Sequence, residues 1–226
     1  MTSPLPDYVG AFMQARPTDP ARAALVIVDM QYATGHPTGA LARRMAAQGT
    51  PGTTAWRFDR ITRLVIPNTR RLMAAMRAAG GQVIHVTIGA TRPDASDAPP
   101  HTRNFLAGLE NHLGSPQHRI IEELAPEPQD PILRKTTLGA FASTGIDHLL
   151  RSLGREHLFF AGVSTNMCVD TTAREAADRG YAVTLVADAC AATHEGLHDA
   201  ALQNFQRFFG RVLETDAVLS ELDQRP

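Results

Sequence analysis

The chain has 226 residues, enough for one sizeable α/β domain or at most two small ones. Its 22 basic and 23 acidic side chains leave a net charge of −1, which supplies no field to draw nucleic acid or an anionic membrane. No apolar run approaches the roughly 18 residues needed to span a bilayer, the N-terminus has no basic segment leading into an apolar stretch, and two cysteines, Cys168 and Cys190, are too few for a disulfide framework. The expectation is a soluble, cytoplasmic protein with reduced thiols and with neither nucleic acid nor membrane as a partner.

Residues 1–22 read as an irregular lead-in to one domain spanning 1–226. Ala23 to Val28 is a continuous apolar run ending at Asp29, the pattern of a strand buried on both faces. A Gly-, Thr- and Pro-rich loop follows over 33–57, with a short helical piece near Leu41 to Gln48. A helix is predicted from about Asp59 to Ala79, with Pro67 as a kink and Gly80-Gly81 as its end. Val83 to Ile88 is the next strand, and 89–118 reads as a second long, polar loop. Ile132-Leu133 forms a short strand leading to Arg134-Lys135. Then come a helix over 144–153, a strand over 158–161, a helix from Met167 to Arg179, a strand from Tyr181 to Ala187, a helix over 197–209 and a last short strand at 211–213. Strands alternating with helices at this spacing predict a parallel sheet with helices on both faces and right-handed crossovers.

In such sheets ligands sit beyond the carboxyl ends of the strands. Asp29 ends the first strand, Lys135 follows the third, and Cys168 opens the helix after the fourth, so all three are expected on one edge. Lys135 is also the sole lysine; the other basic residues are arginine. An ammonium is a compact charge whose pKa responds to burial, whereas a guanidinium is a wide, permanently charged fork. A thiol at a helix start beside an ammonium has a stabilised thiolate, and a carboxylate in reach can take its proton and return it to a leaving group. Backbone N–H groups of the same helix start can hold an oxyanion. These are the parts of an acyl-transfer site. Each also has an ordinary structural reading: a turn-forming Asp, a core Cys, a solvated Lys.

The segments Leu25-Val26-Ile27-Val28-Asp29-Met30-Gln31, Arg134-Lys135-Thr136-Thr137-Leu138-Gly139-Ala140-Phe141 and Ala161-Gly162-Val163-Ser164-Thr165-Asn166-Met167-Cys168-Val169 resemble, in order and spacing, the isochorismatase-like cysteine hydrolases. The resemblance covers roughly residues 22–215. It implies a three-layer α/β/α fold of Rossmann type with a six-stranded parallel sheet. It implies Asp29 as proton shuttle, Lys135 as charge stabiliser and Cys168 as nucleophile. It further implies a cis peptide between Val163 and Ser164, an oxyanion hole from the N–H groups of Ser164 and Cys168, and a homo-dimer or homo-tetramer.

The presence of Cys168 distinguishes the chain from the vinyl-ether-cleaving isochorismatases, which lack it. The segment Gly89 to Asp94 lacks the Asp-x-His-x3-His metal motif of nicotinamidases, and His36, His85, His101, His112 and His118 are dispersed. The expectation is therefore a metal-free, cofactor-free amidohydrolase acting on a small amide or ureide of biuret, ureido or carbamoyl type. Arg92-Pro93-Asp94 looks most like the biuret-type enzymes. Nicotinamide-like hydrolysis, a redox thiol and a non-catalytic binding module are the alternatives. Gln31, Tyr32, Trp56, Arg92, Phe141 and Glu195 are the candidate pocket residues, set on loops 30–57 and 89–118 and on later turns; ordinary packing is their other reading. Cys190 reads as core.

Overall fold

The computed structural model describes residues 18–223, so most of the predicted lead-in lies outside the described residues. Six strands form one parallel sheet: β1 (Ala23–Val28), β2 (Gln82–Ile88), β3 (Ile132–Lys135), β4 (His157–Val163), β5 (Ala182–Ala191) and β6 (Arg211–Leu213). Their order is β3-β2-β1-β4-β5-β6. This is the doubly wound order, in which the chain builds one half outward from β1 and then reverses at β4. The central strands read as unbroken apolar runs because both of their faces are covered. Ala24, Val26 and Val28 of β1 enter one core, while Ala23, Leu25 and Ile27 enter the other. Each larger aliphatic side chain so buried contributes about 1.5–3 kcal/mol.

Helices α1 (Tyr32–Gly35), α2 (Ala40–Ala47), α3 (Ala55–Arg60), α4 (Ile66–Ala78), α5 (Pro100–Gly108), α6 (Ile146–Ser152), α7 (Asp170–Asp178), α8 (Glu195–Phe208) and α9 (Thr215–Asp223) are joined to the sheet by loops and short turns. Leu106 of α5, Ile146 and Leu150 of α6, Ala173 and Ala176 of α7 and Phe205 of α8 pack on one face. Phe58 of α3, Leu72, Met73 and Met76 of α4 and Val218 and Leu222 of α9 pack on the other. The three-layer α/β/α architecture expected from the sequence is present.

Four details differ from the sequence reading. The helix predicted from Asp59 starts at Ala55, and α3 and α4 are joined by a wide π turn over Ile61–Val65. That turn lies just before Pro67, whose ring would crowd the carbonyl four residues back in a regular helix. The polar loop 89–118 contains α5, obscured because Thr102 and Leu106 are its only buried positions. β5 continues past Asp188 to Ala191 through a register break: Phe160 pairs with Leu185 but Gly162 with Cys190. Arg60 takes up two carbonyls there, Ala187 O and Cys190 O, each at 2.9 Å. Finally, α9 follows β6. No helix among the described residues is long and apolar enough to cross a membrane.

Candidate active site

Val28 of β1 stands opposite Gly162 of β4, and Ile88 of β2 opposite Lys135 of β3. The strand ends are thus nearly flush, and the winding reverses between β1 and β4, where the outgoing loops diverge and leave a crevice. Asp29 leaves β1 with φ at +53°, a left-handed conformation that Asp tolerates better than most residues. Its backbone is tied on both sides: its N–H donates to Val86 O at 2.8 Å, and its carbonyl accepts from Gln31 N at 2.8 Å and Thr34 Oγ1 at 3.0 Å. Gly162 is required where it stands, since its φ is +114° and a Cβ there would lie 2.1 Å from Val28 O.

Lys135 Nζ donates to Asp29 Oδ2 at 2.9 Å and to Thr137 O at 3.1 Å. The lysine is fully buried and sits behind the carboxylate. Burial alone would lower its pKa, but the adjoining Asp29 carboxylate outweighs that and holds it above the ordinary value. Burial raises the Asp29 carboxyl, against the pull of Lys135. Asp29 Oδ1 makes no complete hydrogen bond of its own, and the neighbouring Cys168 thiol interacts with this carboxylate. Cys168 itself is pushed up to about 12, by burial first and then by Asp29. The sequence had suggested a thiol acidified by its lysine and its helix start. Instead desolvation and the adjacent carboxylate dominate, and the resting thiol is neutral.

The Val163–Ser164 peptide is cis. Cys168 follows on a π turn, Thr165–Val169, that leads into α7. Two cations anchor this turn from α3. Arg57 Nη1 donates to Ser164 Oγ at 2.7 Å, while its Nε and Nη2 donate to Thr34 O at 3.2 and 2.9 Å. Arg60 Nη2 lies 3.1 Å from His198 Nε2, and His198 Nδ1 lies 2.8 Å from Thr165 Oγ1. Since a guanidinium only donates, Nε2 accepts and Nδ1–H points to the threonine. Burial pulls His198 down to about 4, which keeps it neutral.

A cavity of about 450 Å³ opens over Asp29, Ser164 and Cys168. Leu41, Met45, Ile88, Phe105, Leu138 and Met167 give it apolar walls. Thr34, Thr53, Thr54, Thr102 and Thr193 line it as well, and Arg57 brings a buried guanidinium to it. Both long loops of the sequence reading contribute to the walls. Among the described residues, no three His, Cys, Asp or Glu side chains gather as metal ligands.

The structure brings Asp29, Lys135, Ser164 and Cys168 together but moves the six candidate pocket residues elsewhere. Gln31 is a buried strut, its Oε1 accepting from Ile88 N at 2.9 Å and its Nε2 meeting His118 and Asn111. Tyr32 borders a separate depression with Arg70 and Glu122. Trp56 lies beside His198 and under the Arg60 guanidinium, which is 5.3 Å from the ring centroid, and does not line the cavity. Arg92 is exposed and pairs loosely with Asp94 at 3.7 Å. Phe141 is in the core, beside Tyr181 and under Arg179. Glu195 is the exposed first residue of α8. Each loop residue's side is set by tertiary packing, which a linear reading lacks. Cys190 is core, as read. Arg57 was missed, one arginine among many with no local motif to mark it.

The isochorismatase domain model matches residues 23–217. A cysteine hydrolase from Pseudomonas syringae pv. phaseolicola 1448A superposes with a TM-score of 0.77 at 27% identity, with 99% of each chain covered. An isochorismatase family protein from Desulfovibrio vulgaris gives 0.72 at 28% identity, covering 90% of this chain and 99% of that one. N-carbamoylsarcosine amidase from Thermoplasma acidophilum gives 0.64 at 24% identity, covering 86% and 98%, a likeness of fold. With nearly the whole described chain inside the match, the protein belongs to the isochorismatase family, whose members are hydrolases.

Proposed function

We propose that the protein is a cysteine amidohydrolase that cleaves the C–N bond of a small linear amide or ureide. The observation that carries this reading is the buried Lys135–Asp29 pair set against the Cys168 thiol at the floor of one cavity. In the resting site the thiol is neutral and the carboxylate is held by Lys135. When substrate enters, Asp29 takes the thiol proton as Cys168 Sγ bonds to the carbonyl carbon. The N–H groups of Ser164 and Cys168 hold the resulting oxyanion. Asp29 then returns the proton to the departing nitrogen, because an amide anion leaves poorly, and the C–N bond breaks to leave a thioester. Water gives a proton to Asp29 while its oxygen attacks the thioester. The S–C bond breaks, the proton returns to sulfur, and the acid is released. The raised pKa of Asp29 suits a carboxyl that must both accept and give back a proton.

A peroxide-sensing thiol needs exposure and an acidic pKa. Cys168 is 7% exposed and raised to about 12, which favours the hydrolytic reading. The biuret resemblance rested on Arg92-Pro93-Asp94, none of which lines the cavity, and the apolar walls suit a substrate with a hydrocarbon part. The test is ammonia release from a panel of small amides and ureides, with Cys168→Ala in parallel. Release that disappears in the variant supports the reading; release that survives the substitution removes the role of Cys168.

A further inference from the structure

We propose that Arg57 binds a carboxylate carried by the substrate, so that the amide or ureide cleaved here is a short-chain monoanion. The inference rests on the amidohydrolase reading above and names its substrate class.

The argument is a charge count at the cavity. Asp29 and Lys135 neutralise one another at 2.9 Å. Arg57 is 3% exposed and forms no ion pair with any described residue. Its hydrogen-bond partners, Thr34 O and Ser164 Oγ, are neutral. Burial lowers it only to about 10, so it is a cation at neutral pH. With a neutral Cys168 thiol, the described residues leave the buried Arg57 charge without a counterion beside an apolar cavity.

A guanidinium has five N–H donors. Arg57 spends three, one each from Nε, Nη1 and Nη2, which leaves one N–H on each terminal nitrogen. Arg57 lines the cavity, and the threonines that share the wall offer hydroxyl groups but no charge. A neutral ligand that displaced water would leave this cation dry and unanswered, which low-dielectric surroundings penalise. A carboxylate balances it one to one and takes N–H donors in charge-assisted hydrogen bonds. A phosphate would bring a second negative charge, and the other basic side chain on the cavity lining, the imidazole of His101, stands exposed. Arg57 Nη1 lies 2.7 Å from Oγ of Ser164, whose N–H is placed in the oxyanion hole, so the carboxylate and the scissile carbonyl are separated by a short spacer that the apolar walls can cover.

The test compares matched pairs: the monoamides of short dicarboxylic acids (malonamate, succinamate, glutaramate) against the corresponding diamides. The expected result is kcat/KM for the best carboxylate at least about 100-fold above its diamide, in line with the discrimination a site shows against an analogue lacking its polar anchor. Arg57→Gln should collapse that ratio to within about tenfold. A residue that only props Ser164 would lower both members equally, so an unchanged ratio in Arg57→Gln overturns the proposal, as does wild-type enzyme that prefers the diamides. The wild-type comparison stands even where Arg57→Gln misfolds. Calorimetric titration of the same compounds into Cys168→Ser protein gives a readout that needs no turnover. Anion-selective binding lost in Cys168→Ser/Arg57→Gln upholds the carboxylate site even where no amide is hydrolysed, in which case the amidohydrolase reading falls alone. Absence of anion preference across the panel removes the site.

Discussion

Lys135 reaches across 106 positions of sequence to set its Nζ 2.9 Å from Asp29 Oδ2, and neither side chain is more than 3% exposed. Removing one partner of such a pair leaves a charge stranded in the interior, which costs about 3–5 kcal/mol. Lys135→Met is therefore expected to lower the urea midpoint sharply and abolish turnover. Asp29→Asn/Lys135→Met should regain most of the stability and none of the activity. A single variant as stable as the double would show that the pair carries no such cost. Lys135→Arg should be inactive as well, because the wider fork has no room in a fully buried site.

Asp29 holds the Cys168 proton on as well as being placed to take it. It raises the thiol through its charge, whereas Lys135 lowers it. In Asp29→Asn the opposing charge is gone and Lys135 remains, so the thiol should become more acidic and more easily alkylated. We expect iodoacetamide to modify Cys168 about tenfold faster at pH 8, the change that one pKa unit brings in thiolate fraction. Hydrolysis should fall by about 100-fold or more if Asp29 is the proton shuttle proposed above. Cys190 is fully buried and also raised to about 12, so it stays silent in the assay. Equal alkylation rates would refute the charge relationship.

Three histidines, His85, His157 and His198, are buried and each is pulled down to about 4, chiefly by desolvation. In the unfolded chain they titrate near 6.5. Between about pH 6.5 and 4 the unfolded state binds more protons, so stability falls as the pH falls through this window. At pH 5.5 unfolding should take up roughly two to three protons from these residues. Calorimetric unfolding in buffers of different ionisation enthalpy measures that number directly. A value near zero would mean that the histidines are protonated in the folded protein.

Gly162→Ala places a methyl group 2.1 Å from Val28 O at a φ of +114°. The two central strands must then part at the switch point, and we expect little or no folded protein. Gly154, at φ +62° with open space around it, is the control. Ala there should cost only about 1 kcal/mol. Thermal melts of the two variants separate the backbone conformation from the steric contact. Similar losses in both would refute the steric argument.

Much of the architecture was legible in the chain. β1 and β4 are apolar runs because both faces of the sheet are covered, and the residues immediately after a strand have one place to go. That is why Asp29, Lys135 and Cys168 could be assigned to one edge before any distance was known. The helix starting at Ala55 was legible in type but not in start point, since helix ends depend on caps and contacts rather than on periodicity.

The cavity wall was not legible. Gln31 and Trp56 lie within two residues of Asp29 and Arg57, yet neither lines the cavity, because a loop or helix residue's direction is fixed by what packs beside it. Sequence alone determined the sheet, its two apolar faces and the identity of three groups at its edge, all of which follow from short-range pattern and strand geometry. Only the tertiary structure decided that burial and Asp29 push the Cys168 thiol up and that Arg57 is buried at the cavity wall. Both depend on desolvation and on which charges meet, and those are properties of the packed interior.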